Sequence, residues 1–189
     1  MKKTKVVIVL ALMLVVAFFI SGCISSAKSS TTTEIANAVN KGIAWLAAQQ
    51  NPDGSWGLGY YVGETGLAVL KLESYAMDLG KDPLDPTYIY YTNVTKGLDY
   101  LFSQAHNVSI SPQLAGDPDT NGNGIGVAIY YGNEMYEDGI AAAAIAHCEH
   151  PNMVVTAPGD AYGRTYKDVL TDLVDYFAFA QSDNDTGDY

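Results

Sequence analysis

An acidic and amide-rich loop carries the clearest candidate for metal chemistry. Residues 117–124 read Asp-Pro-Asp-Thr-Asn-Gly-Asn-Gly. Asp117, Asp119 and Asn121 stand at the first, third and fifth positions, before a glycine at the sixth, as in the first half of an EF-hand-type loop. Ca²⁺ prefers such oxygen ligands, so these three residues predict a calcium site. The twelfth position is Ala128 where such loops carry a bidentate Glu, and the alternative is a solvated Asn-Gly turn.

A second group of candidate ligands is the run His147-Cys148-Glu149-His150. The two histidines are three residues apart and can share a helix face, but Pro151 follows them and ends the helix. A tetrahedral zinc site needs a second pair of ligands with suitable spacing, and none follows. We therefore expect a packed cysteine with histidines exposed at a helix end.

The N-terminus has the pattern of an export signal. Lys2, Lys3 and Lys5 precede fifteen apolar residues, 6–20, which is the length of a signal-peptide core. Ile20-Ser21-Gly22-Cys23 then resembles a lipoprotein cleavage box, which predicts a signal peptide over residues 1–22 and lipidation of Cys23. An uncleaved signal anchor is the alternative. Either interpretation predicts an extracytoplasmic, membrane-anchored chain at the cell surface, and the Ser/Thr-rich residues 23–33 are predicted to be a flexible tether.

The charge of the chain excludes one class of partner. Removal of residues 1–22 leaves 7 basic and 21 acidic side chains, a formal charge of −14, which repels phosphate backbones and argues against nucleic-acid binding. Only Cys148 remains after Cys23, so the chain has no pair for an internal disulfide. Asn93, Asn107 and Asn184 each begin an Asn-x-Ser/Thr triplet and are candidates for N-glycosylation in an exported chain.

Apolar residues at helical spacing predict five helices in residues 34–189. Their expected spans are 34–50 with Thr33 as N-cap, 63–79, 86–106, 133–148 and 164–181. Residues 107–132, rich in Gly, Asn and Asp, are expected to form a long loop. No segment alternates convincingly with period two, so the fold class is predicted to be all-α.

An internal repeat organises these helices. Lys41-Gly42-x-x-Trp45-Leu46 matches Lys96-Gly97-x-x-Tyr100-Leu101, and Glu64-Thr-Gly-Leu-Ala68 matches Glu137-Asp-Gly-Ile-Ala141. Stacked helical hairpins can bury an apolar face that one hairpin cannot. The small residues of the second pair predict close backbone approach between the helices that contain them.

The residues Lys41, Trp45, Gln50, Gly54 and Trp56 complete the motif of the first repeat. In this order they resemble the QW repeat of the squalene and oxidosqualene cyclases and of protein prenyltransferase β-subunits. The resemblance implies a partial α/α toroid over residues 34–189, in which the Gln caps a neighbouring helix and the Trp shields it. Five helices do not close a ring of about six pairs, which leaves an open arc, a fragment of a longer toroid, or associating copies.

The resemblance does not extend to the catalytic motifs of that family. Asp117-Pro118-Asp119-Thr120 lacks the adjacent Asp of the cyclase acid motif, and the Asp-x-Cys of the prenyltransferase zinc site does not occur. Tyrosines near helix starts, among them Tyr60-Tyr61 and Tyr130-Tyr131, suit a surface that binds sugars or apolar ligands. The alternative is ordinary packing of these amphipathic rings at the borders between helices and loops. We therefore expect a non-catalytic module that binds a small molecule, glycan or protein. The alternative is a fragment of a terpenoid-cyclase-like or polysaccharide-acting enzyme whose catalytic acids lie beyond Tyr189.

Overall fold

The computed structural model describes residues 31–131 and 135–181. Five α-helices and two β-strands follow one another in this part of the chain: α1 (Thr32–Ala48), α2 (Tyr61–Asp78), α3 (Tyr91–Ser103), β1 (Ala105–Ser109), β2 (Ile125–Ile129), α4 (Tyr136–His147) and α5 (Tyr166–Phe179). The prediction of a mainly helical chain with five helices is confirmed.

Several predicted features lie outside the described residues. They are the signal peptide, the lipidation site Cys23, most of the tether and the sequon at Asn184. Within the part that is described, no helix is both long and apolar enough to cross a membrane.

The chain divides into two compact units between Val39 and Asn40, within α1. In the first unit, α1 begins with a capping box: the Glu34 amide donates to Thr31 Oγ1 at 3.2 Å, and the Thr31 amide donates to Glu34 Oε2 at 2.9 Å. The helix therefore starts at Thr32, earlier than predicted from Thr33 as the cap. In the second unit, the only buried residue of α1 is Ile43.

Helices α2 and α4 pack closely, as the repeat predicts, but only one of the two repeat glycines makes this possible. A Cβ on Gly66 of α2 would lie 2.7 Å from Ile140 Cγ2 and 3.2 Å from the Ile140 carbonyl oxygen of α4. A Cβ on Gly139 would meet nothing within 4 Å. The prediction that both glycines allow close approach is wrong for Gly139, because this residue does not face α2.

Two buried carboxylates fix the start of α4. Glu137 accepts hydrogen bonds from the backbone amides of Gly63 and Tyr131, at 3.3 and 2.9 Å. Asp138 accepts from the amides of Ile129 and Met135. Both side chains are fully buried, and these bonds satisfy donors that would otherwise be unpaired at the ends of β2 and at the start of α2. The first turn of α4 therefore holds three segments together.

A small antiparallel sheet lies where a loop was predicted. Strand β1 pairs with β2, with Ala105 opposite Ile129 and Ser109 opposite Ile125. All of β2 except Ile125 is buried, and Gly126 contacts Tyr176 of α5. Because β2 is covered on both faces, its residues do not alternate between apolar and polar, and the sequence pattern missed it.

Helix α3 is shorter than predicted because turns occupy the residues before it. Asp82 Oδ1 accepts the Leu84 amide at 2.8 Å, and Asp85 Oδ1 accepts the Thr87 amide at 2.7 Å. Such local side-chain bonds compete with helical hydrogen bonds, so the helix begins only at Tyr91.

Candidate ligand-binding site

A network of side-chain amides joins the end of α1 to the first turn of α3. Gln50 Nε2 donates to the carbonyl oxygens of Gly54 and Asn93, at 2.9 and 3.0 Å. Asn93 Nδ2 donates in return to Gln50 Oε1 at 2.9 Å and to the Ala47 carbonyl oxygen at 3.1 Å. The Gln of the QW-like motif thus contacts a neighbouring helix near its N-terminal end, 43 residues away in the chain.

Trp56 is buried directly beside this network. Its exposed fraction is 3%, its Nε1 donates to the Leu46 carbonyl oxygen at 2.8 Å, and its backbone amide donates to Thr65 Oγ1 at 2.8 Å. A Cβ on Gly97 would lie 3.0 Å from Trp56 Cζ3, so this glycine leaves room for the indole. Gly54 has φ +94° and abuts the Lys96 carbonyl, a position that only glycine fills without strain.

The other two members of the predicted motif lie on the surface. Lys41 is exposed, and Trp45 has an exposed fraction of 65%. The structure therefore brings together Gln50, Gly54 and Trp56, and leaves Lys41 and Trp45 outside that group. An amphipathic helix pattern alone does not show which aromatic residues are covered by a neighbouring element.

A cleft of about 560 Å³ opens between the turn that carries Trp56 and a group of tyrosines. The rings of Tyr61 and Tyr131 meet edge to face, with centroids 5.3 Å apart. Burial, followed by the nearby charge of Asp53, raises the pKa of Tyr100 to about 12, so its hydroxyl stays protonated. We call this the tyrosine cleft; it is lined by Asn51, Pro52, Asp53, Ser55, Gly57, Leu58, Tyr61, Tyr100 and Tyr131.

The opposite wall of the tyrosine cleft presents polar groups in fixed positions. Asp53 Oδ1 accepts the Ser55 hydroxyl at 2.7 Å and the Ser55 amide at 3.0 Å. The hydroxyl bond, followed by the amide bond, lowers the pKa of Asp53 below its ordinary value, so its carboxylate is ionised at neutral pH. Asn51 Nδ2 donates to Ser55 Oγ at 3.0 Å and orients this wall further.

A more apolar groove of about 630 Å³ lies on the other side of the same turn. Trp45, Leu58 and Leu67 line it with exposed fractions of 65%, 95% and 54%. A smaller pocket of about 450 Å³ shares Glu64 and Leu67 with this groove and adds Tyr60 and Tyr136. We call the surface formed by Trp45, Leu58, Glu64 and Leu67 the α1–α2 groove.

The loop predicted to bind calcium directs its oxygens mainly at its own backbone. Asp119 accepts the amides of Gly122, Asn123 and Gly124, and the bond from Gly124 is the main cause of a lowered pKa. Asn121 Oδ1 accepts the Asn123 amide at 3.1 Å, and Asp117 Oδ1 accepts the Asp119 amide at 3.1 Å.

Side chains of the same loop attach it to helix α5. Asn121 Nδ2 donates to Asp172 Oδ1 at 2.6 Å, and Thr120 Oγ1 donates to Asp175 Oδ1 at 2.8 Å. Arg164 forms an ion pair with the buried Asp172. No group of three or more His, Cys, Asp or Glu side chains that could hold a metal occurs in residues 31–131 and 135–181. Calcium binding by Asp117, Asp119 and Asn121 stays a prediction.

The candidate metal ligands of residues 147–150 have different surroundings and do not converge on one point. His147 Nε2 lies 3.2 Å from Ser74 Oγ, His150 Nε2 lies 2.9 Å from Asp82 Oδ1, and Cys148 is buried. Of the sequons that the structure describes, Asn107 is exposed on β1, whereas the Asn93 amide is engaged with Gln50.

Comparison with known proteins adds no relative to this description. No protein-family model, no curated protein and no solved structure matches the chain.

Proposed function

We propose that this chain is an extracytoplasmic binding module that is held at the membrane by a lipid on Cys23. The module binds an uncharged glycan in the tyrosine cleft. The observation that carries the proposal is the composition of that cleft, in which three tyrosine rings occur together with a carboxylate and a side-chain amide. The α/α-toroid family stays a prediction, on which the proposal does not depend.

The two walls match the two kinds of surface on a pyranose. Tyr61 and Tyr131 offer rigid rings with little conformational entropy to lose, and such rings cover the apolar C–H face of a sugar. The equatorial hydroxyls of the sugar then need acceptors at its edge, which the ionised carboxylate of Asp53 supplies. A few fixed polar groups in a largely aromatic cleft are typical of small-molecule sites.

The electrostatics favour recognition over hydrolysis. A glycosidase needs one carboxyl group with a raised pKa to protonate the leaving oxygen. The pKa of Asp53 is instead lowered by the two bonds from Ser55, which makes this carboxylate a hydrogen-bond acceptor. Glu137, whose charge also acts on Tyr100, is occupied by two backbone amides.

The negative charge of the chain and of its cleft favours neutral glycans over anionic ones. The whole chain carries a formal charge of −11, and Asp53 adds an ionised group inside the cleft. A uronate or sulfated sugar would place like charges within a few ångströms of each other, which disfavours binding. We therefore expect neutral sugars to bind and anionic ones to be rejected.

Saturation-transfer NMR on the full chain tests the proposal, with cellotriose, chitotriose and mannotriose as neutral probes and a trigalacturonate as the anionic probe. At least one neutral trisaccharide is expected to show saturation transfer. Tyr131→Ala removes a ring from the cleft and is expected to weaken binding at least tenfold. Tyr162→Ala is the matched control, because Tyr162 is as exposed as Tyr131, at 68% and 59%, and does not line the cleft.

Two results would overturn the glycan assignment. The first is no transfer to any neutral probe at millimolar concentration, and the second is equal binding by the Tyr131→Ala and Tyr162→Ala variants. The membrane anchor is tested separately by mass spectrometry of the native protein, since an unmodified Cys23 or an intact Met1 contradicts it.

A further inference from the structure

Two of the residues that line the tyrosine cleft stand in the segments that lead into α2 and α4. Leu58 precedes α2 and Tyr131 precedes α4, and both side chains are exposed. An exposed side chain outside a helix or strand keeps its place only where the backbone that carries it is held. The shape of the cleft therefore depends on what holds these two backbone segments.

The first turn of α2 holds the segment before it through two hydrogen bonds. The Leu58 amide donates to Glu64 Oε2 at 3.1 Å, six residues ahead, and the Trp56 amide donates to Thr65 Oγ1 at 2.8 Å, nine residues ahead. A Cβ on Gly57 would lie 1.6 Å from Glu64 Oε2, so a glycine at this position leaves room for the carboxylate. The turn that lines the cleft is thus attached to the start of α2.

The first turn of α4 repeats this arrangement at the same spacing. The Tyr131 amide donates to Glu137 Oε2 at 2.9 Å, six residues ahead, and the Ile129 amide donates to Asp138 Oδ1, nine residues ahead. Glu64 and Glu137 are the equivalent first residues of the two copies of the internal repeat. Because the same bonds recur in both copies, the repeat itself specifies how each helix holds the segment before it.

Glu137 makes a further bond that joins the two copies. Its Oε1 accepts the amide of Gly63 at 3.3 Å, in the first turn of α2 and two residues after Tyr61. One carboxylate therefore binds the backbone next to Tyr61 and the backbone of Tyr131, whose rings meet edge to face with centroids 5.3 Å apart. Glu137 is fully buried, and hydrogen bonds shielded from water hold such a geometry firmly.

We infer that Glu137 is the positioning residue of the tyrosine cleft, which keeps the rings of Tyr61 and Tyr131 at a fixed spacing before any ligand arrives. Glu137 does not line the cleft and acts through the two backbone amides. Rings that are already ordered lose little conformational freedom on binding, which strengthens binding without a direct contact. The effect on a glycan rests on the proposed function, whereas the effect on the ring pair does not.

Glu137→Gln tests this role, because the amide keeps the shape of the side chain but replaces one acceptor oxygen with a donor. In the folded variant the nuclear Overhauser effects between the Tyr61 and Tyr131 rings are expected to be lost. Affinity for the neutral trisaccharide that binds the wild type is expected to fall about tenfold.

Asp172→Asn is the matched control for the loss of a buried carboxylate. Asp172 is also fully buried and also holds a loop, through Asn121, but none of its hydrogen-bond partners lines the cleft. This variant is expected to be less stable yet to keep the ring contacts and the affinity of the wild type. All spectra are recorded at a temperature at which circular dichroism shows each protein to be folded.

The outcomes separate this inference from the proposed function. Ring contacts that persist in folded Glu137→Gln overturn the inference, and so does their equal loss in Asp172→Asn. A wild type that binds no glycan overturns the proposed function, and the ring contacts still decide the role of Glu137.

Amide hydrogen exchange of the wild type gives a test that needs no variant to fold. The Gly63 and Tyr131 amides are expected to exchange about a hundredfold more slowly than in an unstructured peptide. Exchange of the Tyr131 amide at the peptide rate would show that Glu137 does not hold it, and would overturn the inference.

Discussion

The carboxyl group of Glu73 provides the sharpest quantitative test of this structure. Glu73 lies in α2 with an exposed fraction of 0%. Its two carboxylate oxygens are the only buried side-chain polar atoms of the described residues that lack a hydrogen-bond partner. Burial raises the pKa of Glu73 from 4.5 to about 8, because the apolar interior disfavours the charged form.

The raised pKa makes the free energy of unfolding depend on pH in a direction that can be worked out. Below pH 4.5 both states carry the proton on Glu73, and the group contributes nothing to the pH dependence. Above pH 4.5 the unfolded chain ionises while the native state keeps its proton until about pH 8. Stability therefore falls by about 1.4 kcal/mol for each pH unit in this window, or about 5 kcal/mol in total.

Glu73→Gln removes this dependence, because the amide is neutral at every pH and has nearly the shape of the protonated acid. At pH 4 the variant and the wild type should unfold at similar urea concentrations. At pH 8 the variant should be more stable by about 5 kcal/mol as an upper value, a large fraction of the total stability of an ordinary domain. Urea unfolding of the two proteins at half-unit steps from pH 4 to 9 measures the difference, and subtraction cancels the titration of every other group.

A surface control separates burial from the substitution itself. Glu149→Gln makes the same chemical change at an exposed position and is expected to move the urea midpoint little at any pH. If the curves of wild type and Glu73→Gln run parallel across the pH range, the carboxyl of Glu73 is not confined in an apolar interior. Destabilisation by Glu73→Gln that grows as the pH rises would show instead that the ionised form has a partner.

Three further predictions follow from the packing. Gly66→Ala places a methyl against the Ile140 backbone and should destabilise the fold by about 1–3 kcal/mol. Gly42→Ala, with open space around it, should instead stabilise α1 by about 0.5–1 kcal/mol. Thermal unfolding of the two variants and the wild type measures both effects. Burial raises the pKa of the Cys148 thiol to about 11, so a thiol reagent at pH 8 should label it only at the rate of unfolding, and fast labelling of native protein would contradict this. Expression in a host that glycosylates should modify Asn107 and not Asn93, which peptide mapping of the Asn107→Gln and Asn93→Gln variants checks.

Four of the helices could be predicted from apolar residues at helical spacing, whereas the prediction of α4 rested on its alanines, 141–144, and on the repeat. The turn before Trp56 was also predictable, since Asn51-Pro52-Asp53-Gly54 has the residue types of a turn, and Gly54 adopts a positive φ. That Gln50 contacts a neighbouring helix was implied only by the resemblance to the QW repeat. The structure adds the partner of that Gln: Asn93 offers both a donor and an acceptor. No local pattern identifies Asn93, because the contact spans 43 residues.

Strand β2 and the environment of Trp45 were not predictable for a related reason. The burial of each depends on which other parts of the fold pack against it, and the local sequence does not show this. A five-residue strand covered on both faces has the composition of any short buried segment. Trp45 and Tyr100 stand at matching positions of the repeat, yet Trp45 is 65% exposed and Tyr100 is 9% exposed, and the local pattern does not distinguish them.

The turn of residues 51–58 contributes to both the tyrosine cleft and the α1–α2 groove. Asn51, Gly57 and Leu58 line the tyrosine cleft and the α1–α2 groove alike, so a single short segment forms a wall of each. Gln50 and Trp56 fix that segment from its two ends, through bonds to Asn93 and to the Leu46 carbonyl oxygen. Both anchors are hydrogen-bonded to backbone atoms of helices α3 and α1, which fixes the position of the turn against them, as a preorganised binding surface requires. The Gln and Trp of the QW-like motif therefore position the turn, and neither lines the tyrosine cleft.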